Sequence, residues 1–420
     1  MKSFIEINFI KIGFFTALLS SGAIYLDWIG VVNPLINTIL GLLTIFLLLK
    51  SNSKVWFWSG FFIGILWFWW ISMSFKNYGF AWAIPFGVLF VGFGYGLIFL
   101  VFAKISEYIS FKFSSLLLDL ILKALILLLF SNFHPIEFDW FKPELIFTNS
   151  YLGVKKWQFA IVLLATLLAI YKKNLLYLTL VIFSFPINSY IDRTPLPNNG
   201  IVLSNSMTSV EDKWNPKLQP KHINTVLNKI DKAIRNKKRV IIFPESIFAF
   251  FLNTNPQLMT LLEALSNDIT IVIGGLYLDN NIPRNSTYIF KNGQFQIANK
   301  AVLVPFGEQN PLPEWLGNII NRIFFDGAPD YVASSDVTDY IIDGVKYRNA
   351  ICYEGTSEEL YKGNPKNMIV ISNNGWFVPS IEPIEQKILL QYYSKKYGTT
   401  IYHAVNMSPS YVIHHGKLFY

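Results

Sequence analysis

Apolar residues follow two different rhythms along this chain. Over the first 190 residues they run in long stretches near 11–30, 34–50, 55–73, 80–103, 114–132, 151–171 and 174–190. Each is close to the ~20 residues that a helix needs to cross the hydrocarbon of a bilayer. The pattern predicts a bundle of about seven transmembrane helices over residues 1–191, the second and last short enough to be tilted or partly interfacial. Lys2 and Lys11 give the first stretch the outline of a signal peptide, but six more stretches follow it, so an uncleaved helix is expected.

Beyond residue 191 the rhythm shortens. Residues 192–200 (DRTPLPNNG) are polar and rich in Pro and Gly, the composition of a linker. Short β-type runs follow at 201 (IVLSNS), 240 (VIIFPES), 269 (ITIVIGG), 286 (STYIFKNG), 298 (ANKAVLVPFG), 339 (DYIIDGVKY), 349 (NAICYEG), 367 (NMIVISNNGW) and 400 (TIYHAVN), with helical stretches near 217–238, 256–267 and 381–397. Strands alternating with helices predict a layered α/β domain over residues 198–420. It contains no internal repeat, metal-ligand spacing or phosphate-cradling glycine loop.

Composition agrees with a membrane-embedded chain, since only 15% of residues are charged, against roughly 25% in an ordinary soluble domain. Residues 1–191 hold 13 lysines and 7 acidic residues, which accounts for +6 of the chain's net +8. These lysines sit between apolar stretches rather than on a folded polar surface, which argues against nucleic-acid binding. Cytoplasmic loops are the lysine-rich ones. Lys2, Lys11, Lys50, Lys54, Lys104, Lys112, Lys172 and Lys173 fall on one side, whereas Lys155 and Lys156 run against the scheme. With the N-terminus in the cytoplasm and an odd number of spans, the second domain is expected outside the cytoplasm. Asp119 and Lys123, four apart, read as an ion pair within the bundle. The tryptophans at 56, 58, 67, 69 and 70 read as an interfacial belt.

The candidate chemistry lies at the ends of apolar runs in the second domain. Glu245 follows VIIFP, Lys300 precedes AVLVPFGE, and Cys352, the chain's single cysteine, follows NAI. Strand ends open onto loops where distant side chains can meet. Each residue alone has an ordinary reading as a solvated charge or a small core residue, but the three together make a coherent set. A thiol is a weak nucleophile until a base or cation favours its thiolate. Glu245 can be the base, and Lys300 can stabilise both the thiolate and the oxyanion of an attacked carbonyl. A cysteine assisted by histidine competes, although no local context singles out His222, His403, His414 or His415.

FPES at Glu245, NKAVLVPFGE at Lys300 and ICYE at Cys352 resemble the nitrilase superfamily, with its Glu, Lys and Cys triad in that order. LVPFGEQNPLP, AICYEG, SNNGWFVPSIEPIEQ and NMSPS resemble more narrowly its membrane-bound branch, the apolipoprotein N-acyltransferase family. The resemblance implies a multi-spanning bundle followed by an α-β-β-α nitrilase-like sandwich. It implies Glu245 as general base, Lys300 as oxyanion stabiliser, Cys352 as nucleophile and Glu308 as a second essential carboxylate. Tyr353 and Glu354 match positions important for substrate, and Trp214 in EDKWNP matches a lid tryptophan. It also implies no metal or organic cofactor, a phospholipid donor such as phosphatidylethanolamine, a diacylglyceryl-cysteine lipoprotein acceptor, and an inner-membrane enzyme whose catalytic domain is periplasmic. Two departures stand out: Asn374 stands where an acidic residue is common in the family, and the sequence ends at HHGKLFY with no apolar tail where the family's better-known members continue into a last transmembrane helix, so that either this branch lacks that helix or the sequence is truncated. The rival readings are a membrane-tethered amidase acting on small amides and a transporter or sensor with an inactive outer domain.

Overall fold

A computed structural model of the protein describes residues 2–187, 200–305, 307–309 and 331–420. The 192–199 part of the expected linker, the expected domain start at 198, residues 188–190 of the last apolar stretch, and Phe306 with residues 310–313 of LVPFGEQNPLP lie outside the described residues. The chain divides into two compact units, Met1–Asp192 with Pro379–Tyr392, and Arg193–Val378 with Tyr393–Tyr420.

The first unit is helical: α1 (Lys2–Trp28), α2 (Pro34–Lys50), α3 (Ser53–Phe68), α4 (Ile84–Lys112), α5 (Leu116–Leu129) and α6 (Lys156–Tyr171), followed by a 3-10 helix at Leu175–Ser184. Local sequence sets the starts. Asn33, Asn52 and Ser115 accept hydrogen bonds from first-turn N–H groups of α2, α3 and α5, groups that would otherwise lack partners. By length and composition, Asn8–Trp28, Ser53–Lys76 and Ala81–Lys112 can cross a membrane, while Pro34–Lys50, Lys156–Tyr171 and Leu175–Ser184 are shorter apolar helices.

Small residues bring α3 and α4 together. A Cβ on Gly60 would stand 2.6 Å from the Tyr95 carbonyl oxygen, and one on Gly64 would stand 2.9 Å from that of Val91. Gly92 and Gly96 answer from α4, where added Cβ atoms would meet Ile65 at 2.9 Å and Phe57 at 3.0 Å. Four-residue spacing of small side chains on facing helices allows backbones to approach this closely. Asp119 and Lys123 do pair, at 2.7 Å. Lys123 also donates to the Ser51 carbonyl and Ser106 to Asp119, so the pair ties α5 to the α2–α3 turn and to α4.

The tryptophan belt is corrected by burial. Trp56, Trp67 and Trp70 are buried; Trp56 donates to the Leu48 carbonyl at 2.8 Å and Trp70 to Glu385 at 2.6 Å. Positions 56, 60, 64 and 67 share one helix face, and that face packs inward with the glycines. Within the same unit, Pro379–Tyr392 is held by polar pairs: Lys387 to Asp27 at 2.7 Å, Gln391 to Asn149 at 3.2 Å and Tyr392 to Glu144 at 3.0 Å.

The second unit is built on two six-stranded sheets. One contains β1 (Ile201–Leu203), β2 (Val240–Ile242), β3 (Phe248–Phe251), β4 (Thr270–Asp279), β5 (Ile282–Lys291) and β6 (Gln294–Asn299). Its path is β1-β2-β4-β5-β6, parallel through β4 and antiparallel beyond, with β3 beside β4. The other contains β7 (Asp339–Ile342), β8 (Val345–Ile351), β9 (Asn367–Asn373), β10 (Thr400–Asn406), β11 (Tyr411–His414) and β12 (Lys417–Phe419), in the order β12-β11-β10-β9-β8-β7. Its central pairs β8–β9 and β9–β10 are parallel. Parallel neighbours require crossovers, and α7 (Val210–Lys213), α8 (Gln219–Arg235), α9 (Pro256–Leu265) and α10 (Glu382–Tyr397) lie in those connections.

Alternation sorts side chains between layers. Val240, Ile242 and Val272 share a core with Ile369, Ile371 and Tyr402 of the other sheet, whereas Ile241, Ile271 and Ile273 face Ile230 of α8 and Leu262 of α9. DYIIDGVKY, expected as one strand, instead folds as the β7–β8 hairpin. Asp343 and Gly344 take φ of 49° and 76°, the left-handed pair that a tight two-residue hairpin turn uses.

Candidate active site

Three strand ends deliver the site. Glu245 follows β2 by three residues, Lys300 follows β6 directly, and Cys352 follows β8 directly. Gly274 of β4 lets the Glu245 segment lie flat against the sheet, because a Cβ there would stand 2.6–2.7 Å from backbone atoms of Pro244, Glu245 and Ser246. Cys352 has a φ of 55°, a left-handed conformation that costs a non-glycine residue energy and persists only where surroundings enforce it.

Glu354 supplies that enforcement. It is buried, and its carboxylate accepts from Ile351 N at 2.7 Å, Ala301 N at 2.8 Å and Val302 N at 3.1 Å. One side chain thus clamps the backbone before the cysteine to the backbone after Lys300. Both of its oxygens are engaged with the protein. Tyr353 is buried as well, and Trp214, just after α7, is 42% exposed.

Lys300 is 2% exposed and stands between two carboxylates, with Glu308 at 2.7 Å and Glu245 at 3.9 Å. Burial alone would weaken its hold on a proton, but Glu308, Glu245 and Cys352 outweigh burial and keep the ammonium charged above its ordinary range. Burial raises the Glu245 carboxyl, Lys300 opposes the rise, and Glu308 adds to it. The short ion pair therefore belongs to Glu308, which also accepts from Val304 N at 3.0 Å. Glu245 is left as a carboxylate held above its ordinary range. Asn285 of β5 joins the two, its amide donating to Glu245 at 2.8 Å and to Glu308 at 2.9 Å.

Asn285 and Lys213 are the residues that sequence reading passed over. Lys213 ends α7, is buried, and donates to the Glu245 carbonyl at 3.2 Å. Burial lowers its pKa to about 8, with Glu245 and Cys352 drawing it back up. An asparagine inside a strand carries no sequence signal for such a bridge; Lys213 had one, its place beside Trp214 in EDKWNP. His403 is withdrawn from the competing histidine scheme, since it pairs with Ser372 at 2.7 Å in the sheet and burial lowers it to about 3. The SNNGW and NMSPS motifs meet through Asn406, which donates to Asn373 at 2.7 Å and accepts from Ser206 and Thr208.

An apolar helical unit with helices long enough to cross a membrane, joined to a two-sheet unit with these groups at its strand ends, defines a membrane-type protein with a two-sheet domain. Residues 7–189 match the family model of the apolipoprotein N-acyltransferase integral membrane domain. Curated apolipoprotein N-acyltransferases align over nearly the whole chain. The protein of Wolinella succinogenes is 39% identical across 96% of this chain and 95% of its own length, and that of Helicobacter hepaticus is 36% identical across 93% and 97%. This chain belongs to the apolipoprotein N-acyltransferase family, and it is an acyltransferase. Among solved structures it is similar to a CN-hydrolase superfamily protein from Xanthomonas campestris, at 13% identity and a TM-score of 0.39 over 52% of this chain and 83% of that one. Membership over nearly full length leaves the tethered amidase without support.

Proposed function

We propose that this protein moves a fatty acyl chain from a phospholipid, through a thioester on Cys352, to the α-amine of a diacylglyceryl-cysteine at the N-terminus of a lipoprotein. The observation that carries the reading is the charge arrangement at Lys300. One buried ammonium is paired closely to Glu308 and loosely to Glu245, beside a cysteine held in a strained turn. Glu245 takes the thiol proton, and the Cys352 thiolate attacks the ester carbonyl. Lys300 stabilises the oxyanion, which is the dominant electrostatic contribution in acyl transfer. As the intermediate collapses, the glycerol oxygen leaves with the proton held by Glu245, giving a lysophospholipid and the thioester. The acceptor amine then attacks the thioester, Glu245 receives its proton, and the proton returns to the departing Cys352 sulfur.

In this scheme Glu308 keeps Lys300 charged and oriented, and Glu354 with Tyr353 shapes the turn that presents the sulfur. Trp214 meets the lipid as part of a mobile lid. The enzyme resides in the bacterial inner membrane with residues 198–420 as a periplasmic catalytic domain, phosphatidylethanolamine is a suitable donor, and the Glu245, Lys300 and Cys352 chemistry uses side chains alone.

Withholding the acceptor tests the reading, because ping-pong chemistry must then pause at the acyl-enzyme. Phospholipid alone should add the mass of one fatty acyl chain to the Cys352 peptide. The adduct should be labile to neutral hydroxylamine and discharged by a diacylglyceryl-cysteine peptide. Cys352→Ala should show no adduct and Glu245→Gln very little. Absence of the adduct in wild-type protein, or normal transfer by Cys352→Ala, would remove the nucleophile and the scheme with it.

A further inference from the structure

Lys213 is 2% exposed, and among the described residues its ammonium has one hydrogen-bond acceptor, the Glu245 carbonyl, and no ion-pair partner. A buried cation with so little compensation is costly. It borders a cavity of about 350 Å³ between the Ser206–Thr208 segment, α7, residues 221–229 of α8 and the Phe243–Ile247 segment, which brackets Glu245. That size lies at the lower end of small-ligand sites, ~300–1,000 Å³. Lys221, His222 and Lys229 of α8 also line it, and among the described residues Asp212 is the one carboxylate that does. Lys229 donates to Ser204 and Asn205 and, among the described residues, forms no ion pair. The first turns of α8 add the positive end of a 17-residue helix, which favours anions. The wall opposite is fixed, since Asn406 binds Ser206 and Thr208 and is itself held by Asn373.

We infer that this cavity is an anion site for a phosphate group carried on a small polar alcohol, the chemistry of a phospholipid headgroup, with Lys213, Lys221 and Lys229 as its cationic donors. The inference rests on the acyl-transfer reading for its choice of a lipid donor and assigns the headgroup a seat backing onto the Glu245 segment. Lys213 contacts both, so the occupied site completes the compensation of its charge while its carbonyl contact steadies Glu245. Charge-assisted contacts to phosphate are the strong class of hydrogen bond, and three lysines around one cavity suit a group with several acceptor oxygens.

The test uses full-length Cys352→Ala protein in an uncharged, phosphorus-free detergent, so that binding is read without turnover. It is titrated with glycerophosphoethanolamine, with inorganic phosphate and with phosphate-free monoacylglycerol, followed by phosphorus NMR and calorimetry. Saturable binding of glycerophosphoethanolamine is expected, weakened by added salt. Lys221→Gln, at an exposed position, and Lys229→Gln should each weaken it roughly tenfold, the size of one charge-assisted hydrogen bond. Lys213→Gln should weaken it at least as much. Equal binding of inorganic phosphate would assign the site to the phosphate alone, and tighter glycerophosphoethanolamine binding would assign it to the headgroup. No saturable binding of either, or variants that bind like the parent, overturns the inference. Phospholipid acylation of Cys352 in wild-type protein, measured alongside, separates the two ideas. Acylation without headgroup binding sinks only the anion site, and binding without acylation sinks the transfer scheme.

Discussion

Lys300 must serve two carboxylates with one charge, and the unequal distances of 2.7 Å to Glu308 and 3.9 Å to Glu245 divide their work. Lys300→Met should lower turnover by about 10² to 10³, the usual cost of losing one oxyanion donor. Glu308→Gln should be similarly severe because it leaves Lys300 beside a neutral amide. Steady-state rates within a few-fold of wild type at normal protein levels would show that the charge cluster is misassigned. The raised pKa of Glu245 sets a pH dependence of definite sign. Glu245 must be ionised to accept the thiol proton, and burial lifts it above the ordinary 4.5. The rate of Cys352 acylation should therefore fall as pH drops through a value above 4.5. Asn285→Ala removes a hydrogen bond that favours the carboxylate, so it should move this acid limb higher still; a limb at or below 4.5, or one shifted downward, contradicts the assignment. Glu245, Lys300 and Cys352 were legible because reactive types stood at the ends of apolar runs. Asn285 was not, since its function depends on a register between β5 and two loops that no local pattern encodes.

At the scale of elements, hydrophobic rhythm located the helices of the first unit more readily than it told which faces they bury. Trp56 and Trp67 of α3 looked interfacial by type, yet they share a face with Gly60 and Gly64, and that face turns inward. That arrangement makes Gly60→Ala a discriminating substitution. Its Cβ would meet a backbone carbonyl at 2.6 Å, which a side-chain rotation cannot relieve, so the helices must separate. Overpacking of this kind costs about 1–3 kcal/mol and should lower the melting temperature in detergent. Gly94→Ala on α4, with nothing within 4 Å of its added Cβ, should melt close to the parent; equal melting of the two variants would refute the close α3–α4 contact. Other element-level features were hidden for a different reason. DYIIDGVKY is apolar on both sides of its turn, and only the Asp-Gly pair at its centre signalled a hairpin. The Pro379–Tyr392 segment belongs by sequence to the strand-rich half, but Glu385, Lys387 and Gln391 find partners in the helical unit, a long-range pairing that periodicity does not report.

For the whole molecule, the compartment of the second unit depends on how many times the first crosses the membrane, and the distribution of lysines bears on both. Lys50 and Lys54 flank the α2–α3 turn, Lys112 ends α4, and Lys172 and Lys173 follow α6; none of these is ion-paired among the described residues. The lysines that ran against the scheme are placed differently. Of the two, Lys156 pairs with Glu144 at 2.8 Å, and on the same side Lys142 approaches Asp139 at 3.5 Å, so these charges are engaged within the fold. Leu175–Ser184 is the shortest of the apolar helices, with ten residues. As a 3-10 helix it rises ~2.0 Å per residue rather than the ~1.5 Å of an α-helix. It thus covers about 20 Å, and the apolar run continues through Phe185 and Ile187 toward the ~30 Å of a hydrocarbon core. Seven crossings from a cytoplasmic N-terminus place residue 200 in the periplasm, where positive-inside retention of the lysine-rich turns would hold it. Alkaline phosphatase fused after Gly200 should accordingly be active and a fluorescent protein fused there dark, while the same reporters placed in the α4–α5 turn at Ser114 should give the opposite result. A cytoplasmic reading at Gly200 would mean an even number of crossings, and it would put Cys352 in a compartment where the proposed lipoprotein acceptor is not found.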